Sequence, residues 1–164
     1  MKNLTKITLT ALCCGTLLLG SCRSKQTISP TYSTFTFETT YMGEGNDGSV
    51  VLRAWGKGPS IDRSIEQAKK NAVADVIFKG VGTTNAYNQQ PLVTEVNARE
   101  RYADYFDRFF ADGGEYANFV RESSDKDGSR VKSKGASREN HGVVVEVNRS
   151  ALRKQLINDG ILKR

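Results

Sequence analysis

Apolar residues recur at three- and four-residue steps through PSIDRSIEQAKKNAVADVIFKG: Ile61, Ile65, Ala68, Ala72, Val73, Val76 and Ile77. Asp62, Glu66, Lys69 and Lys70 fall outside that stripe. A repeat near 3.6 residues gathers the apolar set on one face, so an amphipathic helix is expected. Ser60 suits its N-cap, Asp62 lies where the helix dipole favours an anion, and Gly80 supplies a stop. The small side chains of Ala68 and Ala72 would let this helix lie close to a sheet.

Elsewhere the period changes. TYSTFTFETTYM, residues 31–42, alternates in part and reads as a strand, followed by a turn in GEGNDGS. VVLRAWGKG is a second strand, with Val50, Leu52 and Ala54 on one face and Val51, Arg53 and Trp55 on the other. A polar loop, VGTTNAYNQQP, leads into TEVNARERYADYFDRFFADGG. There Tyr102, Tyr105, Phe106, Phe109 and Phe110 predict a second amphipathic helix, ending at Gly113 and Gly114. EYANFVRESS and SRVKSKGASRENHGVVVEV read as two strands, with Asp127–Gly128 as the hairpin turn between them. NRSALRKQLINDGILKR is a closing helix capped at Asn148 or Ser150, with Leu152, Leu156 and Ile157 inward and Gly160 at its C′ position. The order β-β-α-α-β-β-α predicts an α+β fold: an antiparallel or mixed sheet of about four strands, with helices packed on one face.

The N-terminus follows a different rule. Lys2 and Lys6 precede a charge-free run from Ile7 to Gly20 that carries Leu9, Leu12 and Leu17 to Leu19. The run falls short of the ~20 apolar residues of a membrane-spanning helix but fits a signal-peptide core. It ends in LGSC, Leu19 to Cys22, which resembles a bacterial lipobox. The resemblance implies cleavage before Cys22, diacylglycerol on its sulfur and a further acyl chain, such as palmitate, on its amine. The competing reading is plain secretory cleavage near Ser21. Residues 1–21 then form a lipoprotein signal peptide, 22–31 a lipidated N-terminus with a polar tether, and 32–164 a single domain. Cys13, Cys14 and Cys22 are the only cysteines, and the first two leave with the signal. A zinc site wants four ligands, and His141 is the only histidine, so no metal or other cofactor is expected.

A chain of 164 residues suits one domain. Its net charge of +6 can favour anionic partners without naming one. The membrane, through the N-terminal lipid, and an envelope protein are the expected partners; nucleic acid is not. Arg23 follows the cysteine where some inner-membrane lipoproteins carry an acidic residue. The expected location is therefore the outer membrane, facing the periplasm.

VVLRAWGKGPSIDRSIEQAKKNAVADVIFKGV resembles the core of the LPP-twenty lipoprotein family and is similar to the N-terminal domain family of the flagellar-assembly protein FlgT. The likeness is carried by Gly56 and Gly58 after a strand, by Ala68, Ala72 and Ala74 along a helix, and by the later VVVEVNRSALRKQL. It implies a small α+β module in envelope assembly or scaffolding, without catalysis.

Candidate chemistry is sparse. Gly56, Lys57, Gly58 and Ser60 sit between a strand and a helix N-terminus, where backbone N–H groups can meet an anion. GKGPS lacks the third glycine of a dinucleotide fingerprint and is not a Walker A loop, so a tight turn is the default. His141 could serve as a general base, but no nucleophile motif accompanies it, and Asn140 and Gly142 suggest a surface strand or bulge. Asp125 to Gly128, DKDG, superficially matches a calcium loop, yet position 12 is Ala136 rather than Glu. Arg121, Lys126, Arg130, Lys132, Lys134 and Arg138 make the late hairpin basic, and a solvated surface is the simplest reading. The function expected is a lipid-anchored, non-enzymatic binding or scaffolding module. The alternative is a small-ligand or glycan-binding lipoprotein with a cleft near Gly56–Ser60 and the 83–95 loop.

Overall fold

The computed structural model describes residues 39–45, 47–82, 88–123, 130–133 and 140–163. The expected strand over residues 31–42 falls mostly outside them, and the expected signal segment, tether and lipobox with Cys22 fall wholly outside. The chain adopts the expected α+β fold, and its main sheet is antiparallel throughout.

β1 (Thr40–Glu44) pairs with β2 (Val50–Lys57), with a bulge between Tyr41 and Gly43. β2 pairs along its whole length with β7 (Asn140–Val147), from Val50 opposite Val147 to Lys57 opposite Asn140. The outer edge of β7 is shared by β5 (Val120–Glu122) and β6 (Arg130–Ser133). The sheet therefore has four strand positions.

The period of two sorts the faces. Val50, Leu52, Ala54, Val143, Val145 and Val147 are fully buried on one side of the sheet. Helix α1 (Ile61–Ala74) lies across β2 and β7 on that side and contributes Ile65, Ala68, Ala72 and Val73 to the same core. Ser60 caps the helix as expected, its Oγ accepting from the Arg63 N–H at 3.3 Å. A π-helical turn over Asp75–Lys79 continues α1 and stops at Gly80, whose φ of 79° suits glycine.

Two stripe assignments are corrected. Ile61 is 49 % exposed, and the buried stripe of α1 begins with Ser64 and Ile65. Lys70 is buried at 3 % exposure, because its long side chain runs to Asp112 and its ammonium lies 5.4 Å from the Tyr116 ring centre. Apolar methylenes carry a charge through a packed layer when a partner waits at the far side.

The polar loop after Gly80 holds a short antiparallel pair, β3 (Val81–Gly82) with β4 (Asn88–Gln89). The aromatic segment is two helices rather than one: α2 (Ala98–Arg101) and α3 (Ala103–Phe109), broken at Tyr102, where φ is −110° and ψ is 30°. The break keeps Phe106, Phe109 and Phe110 inward, with Phe106 edge-on to Phe78 at 4.8 Å and Phe109 edge-on to Phe110 at 5.0 Å. Core burial, expected for these aromatics, holds for the phenylalanines; Tyr102 and Tyr105 are half-buried. A 3-10 turn, Glu115–Phe119, adds fully buried Tyr116 before β5.

The late hairpin is also corrected. β5 and β6 run in the same direction along one edge of β7, and the Ser123 N–H donates to the Val144 carbonyl between them at 3.0 Å. The two strands therefore do not form a hairpin with each other, and Asp127–Gly128 lies outside the described residues. The single long strand expected over SRVKSKGASRENHGVVVEV is instead two antiparallel strands, β6 and β7. The eight-residue ladder of β7 offers a long outer edge, and both segments satisfy it.

His141 is corrected from a surface position to a buried one, at 7 % exposure. It lies in register with Gly56 and shares the core-facing parity of Val143, Val145 and Val147 in the middle strand.

Helix α4 (Arg149–Asn158) closes the chain. Asn148 caps it through Oδ1, which accepts from the Ala151 N–H at 2.9 Å. Its end is a Schellman motif: Ile161 N–H donates to the Leu156 carbonyl and Gly160 N–H to that of Ile157, with φ of 75° at Gly160. Leu152, Leu156 and Ile161 are buried, and Ile157 is half-buried.

Candidate functional site

The π-helical turn at the end of α1 leaves carbonyl groups that need donors. The passing strand-like segment supplies them: Leu92 N–H donates to the Val76 carbonyl at 3.1 Å and Val93 N–H to that of Ile77 at 2.8 Å. These bonds seat the 90–95 segment beside α4. Between this segment, the break between α2 and α3 and both ends of α4 lies an open cleft of about 630 Å³. Leu92 and Ile161 form apolar ground within it, both buried.

The rim is cationic. Arg101, Arg149, Arg153 and Lys163 line the cleft, with Glu95 as the single carboxylate among the lining residues. Glu95 is already engaged by Arg101, whose Nη1 donates to Oε1 at 2.5 Å. That contact holds the Arg101 guanidinium firmly protonated. Arg149 is positioned by a hydrogen bond from Nη2 to the Gln90 carbonyl at 2.7 Å. Arg149 and Arg153 stand four residues apart in α4, the spacing that sets side chains on one helix face. That spacing was readable in the sequence; its meaning depended on what the helix end faces.

GKGPS occupies a different place. A Cβ on Gly56 would come within 1.9 Å of the Ser64 carbonyl oxygen, and one on Gly58 within 2.8 Å of the Ser64 nitrogen, so both glycines let strand and helix approach. Lys57, Gly58, Arg63 and Lys70 border a small hollow of about 170 Å³ that also contains Asp112. Asp112 accepts from Arg63 Nη1 at 2.7 Å and from Lys70 Nζ at 2.6 Å. These bonds hold its carboxyl below the usual carboxylate range. The chain's own carboxylate thus occupies Arg63 and Lys70, two of the cations bordering this hollow. Lys57, Gly58 and Pro59 of this turn and the 90–95 segment line separate cavities with no residue in common.

A polar network continues along a partly buried flank of α1. The Tyr116 hydroxyl donates to Glu66, and Lys69 bridges Glu66 and Glu122 at 3.7 and 3.4 Å. Burial, with the Glu66 carboxylate, pushes the Tyr116 phenol up, so it remains a donor at all ordinary pH. Of the basic late-hairpin residues, Arg121 is held by Glu146 at 2.6 Å and Asp47 at 3.0 Å, while Lys126, Lys134 and Arg138 lie outside the described residues. Arg130 and Lys132 lie on β6, opposite Val143 and His141. Asp125–Gly128, the rejected calcium loop, and Cys22 also lie outside them. Among the described residues no group of three His, Cys, Asp or Glu is placed to hold a metal ion, and no helix is long and apolar enough to cross a membrane.

No protein-family model, curated protein or solved structure matches the chain.

Proposed function

We propose that this protein is a lipid-anchored component of a bacterial envelope, held at the outer membrane and facing the periplasm, whose α+β body is a non-enzymatic binding or scaffolding module. The observation that carries the reading is the run LGSC, Leu19 to Cys22, at the end of a charge-free apolar stretch behind Lys2 and Lys6. Acyl chains on Cys22 supply membrane affinity at about 0.8 kcal/mol per buried CH₂, and two or more chains anchor stably. The nine residues after Cys22 can span about 30 Å when extended, enough to stand the body off the bilayer. The likeness of VVLRAWGKGPSIDRSIEQAKKNAVADVIFKGV to the LPP-twenty family supports a scaffolding role.

Membrane fractionation of cells carrying Cys22→Ser tests the anchor. The variant body should leave the membrane fraction while wild type stays; full retention of the variant would remove the anchor. Crosslinking in cells tests the scaffold. Specific envelope partners are expected, and free monomer alone would count against it.

A second reading, a small-ligand or glycan-binding lipoprotein, is favoured by the cationic cleft. Its volume of about 630 Å³ lies within the range of small-molecule sites, roughly 300–1,000 Å³.

A further inference from the structure

We propose that the cleft between the 90–95 segment and α4 binds a small phosphate ester. Arg149, Arg153 and Lys163 hold the phosphate, and the apolar part of the ester lies over Leu92 and Ile161. This deepens the ligand-binding reading and rests on it, independently of the lipid anchor.

The charge pattern runs against what folding alone favours. Arg149 is the first residue of α4, at the end where the helix dipole disfavours a cation. Arg153 follows one turn later on the same face, and like charges at that spacing repel. Lys163 adds a third positive charge to the lining of the same cleft. The only lining carboxylate, Glu95, is held by Arg101. Among the described residues Arg153 and Lys163 make no ion pair. Local rules broken together in one concave place point to a ligand that reverses their sign. A phosphate anion seated among these cations offsets each of these repulsions with an attraction of its own.

The type of cation narrows the chemistry. Two guanidinium groups one turn apart present planar forks that match phosphate oxygens, and a lysine adds a point charge. The Gln90 carbonyl fixes Arg149 in advance, so less side-chain freedom is lost on binding. Leu92 and Ile161 give the site an apolar side that bare phosphate would leave unused.

Equilibrium dialysis of n-butyl phosphate against the full chain in phosphatidylcholine vesicles tests the site. Saturable binding is expected, weakened about tenfold by Arg153→Gln and severalfold by Lys163→Gln. Both side chains are exposed, so the variants should fold, which circular dichroism checks. Lys154→Gln, exposed on the same helix but outside the cleft, should bind within about twofold of wild type. Neutral n-butanol should not saturate. Wild-type protein that binds no butyl phosphate, or folded Arg153→Gln and Lys163→Gln variants that bind it as tightly as wild type, would overturn the proposal. Replacing part of the vesicle lipid with phosphatidylglycerol, or with oleate of equal charge, separates two sources of the phosphate. Stronger displacement by phosphatidylglycerol assigns the site to a lipid headgroup; equal displacement assigns it to a soluble ester; either supports the site. Chitobiose serves as a glycan probe. Binding of chitobiose without butyl phosphate would remove the phosphate assignment and keep the ligand reading, and binding of neither would remove both.

Discussion

Gly56 of β2 lies directly against the backbone of Ser64 in α1: a Cβ on Gly56 would stand 1.9 Å from the Ser64 carbonyl oxygen and 2.5 Å from the Ala68 nitrogen. Neither obstacle is a side chain that can rotate away. Gly56→Ala must therefore part the helix from the sheet, and overpacking of this kind costs about 2 kcal/mol or more. Urea unfolding should show the midpoint fall with little change in slope. A midpoint equal to wild type would mean that α1 and β2 are not in this contact.

Asp112 is held by two cations, one of them the buried Lys70. Its carboxyl is depressed in the folded protein, so its contribution is present at neutral pH and lost as pH falls through the folded-state value, below about 4. Asp112→Asn should cost about 1 kcal/mol at pH 7, the modest size reflecting the exposure of the carboxylate. The gap between variant and wild type should narrow at pH 3. An equal gap at both pH values, by urea unfolding, would show that charge is not its source.

Gly142 lies under the Trp55 ring, and a Cβ there would sit 3.1 Å from two ring carbons. Here the obstacle is the edge of a half-buried side chain. Gly142→Ala should tilt the indole and shift the emission of the single tryptophan, at a stability cost under about 1 kcal/mol. An unchanged emission spectrum would contradict this packing.

Gly160 has φ of 75°, and a Cβ at this position would meet nothing within 4 Å, so space is not at issue. Gly160→Ala should cost about 1 kcal/mol through backbone strain alone. A thermal midpoint lowered by a few degrees is the expected readout, and an unchanged one would exclude the left-handed turn.

Where periodicity and capping agree over a long segment, local residues are enough to predict the element. Ser60, Ala68, Ala72 and Gly80 do so for α1, as do Asn148, Leu152, Leu156 and Gly160 for α4. The two faces of β2 were equally legible, because alternation is a property of the strand itself. Lys70 was not: its burial depends on Asp112, 42 residues away. Nor was the cationic cleft, since Arg149, Arg153 and Lys163 line one cavity only when the 90–95 segment is seated on the π-helical turn that follows α1.

The α+β class, the helix caps and the uncharged run from Ile7 to Cys22 follow from neighbouring residues, because capping, alternation and composition act over a few positions. The shared outer edge of β7, the break at Tyr102, the burial of His141 and the pairing of Asp112 with Lys70 arise from contacts between distant segments. A local pattern states which face is apolar; it does not state which partner will cover that face, and packing settles the choice.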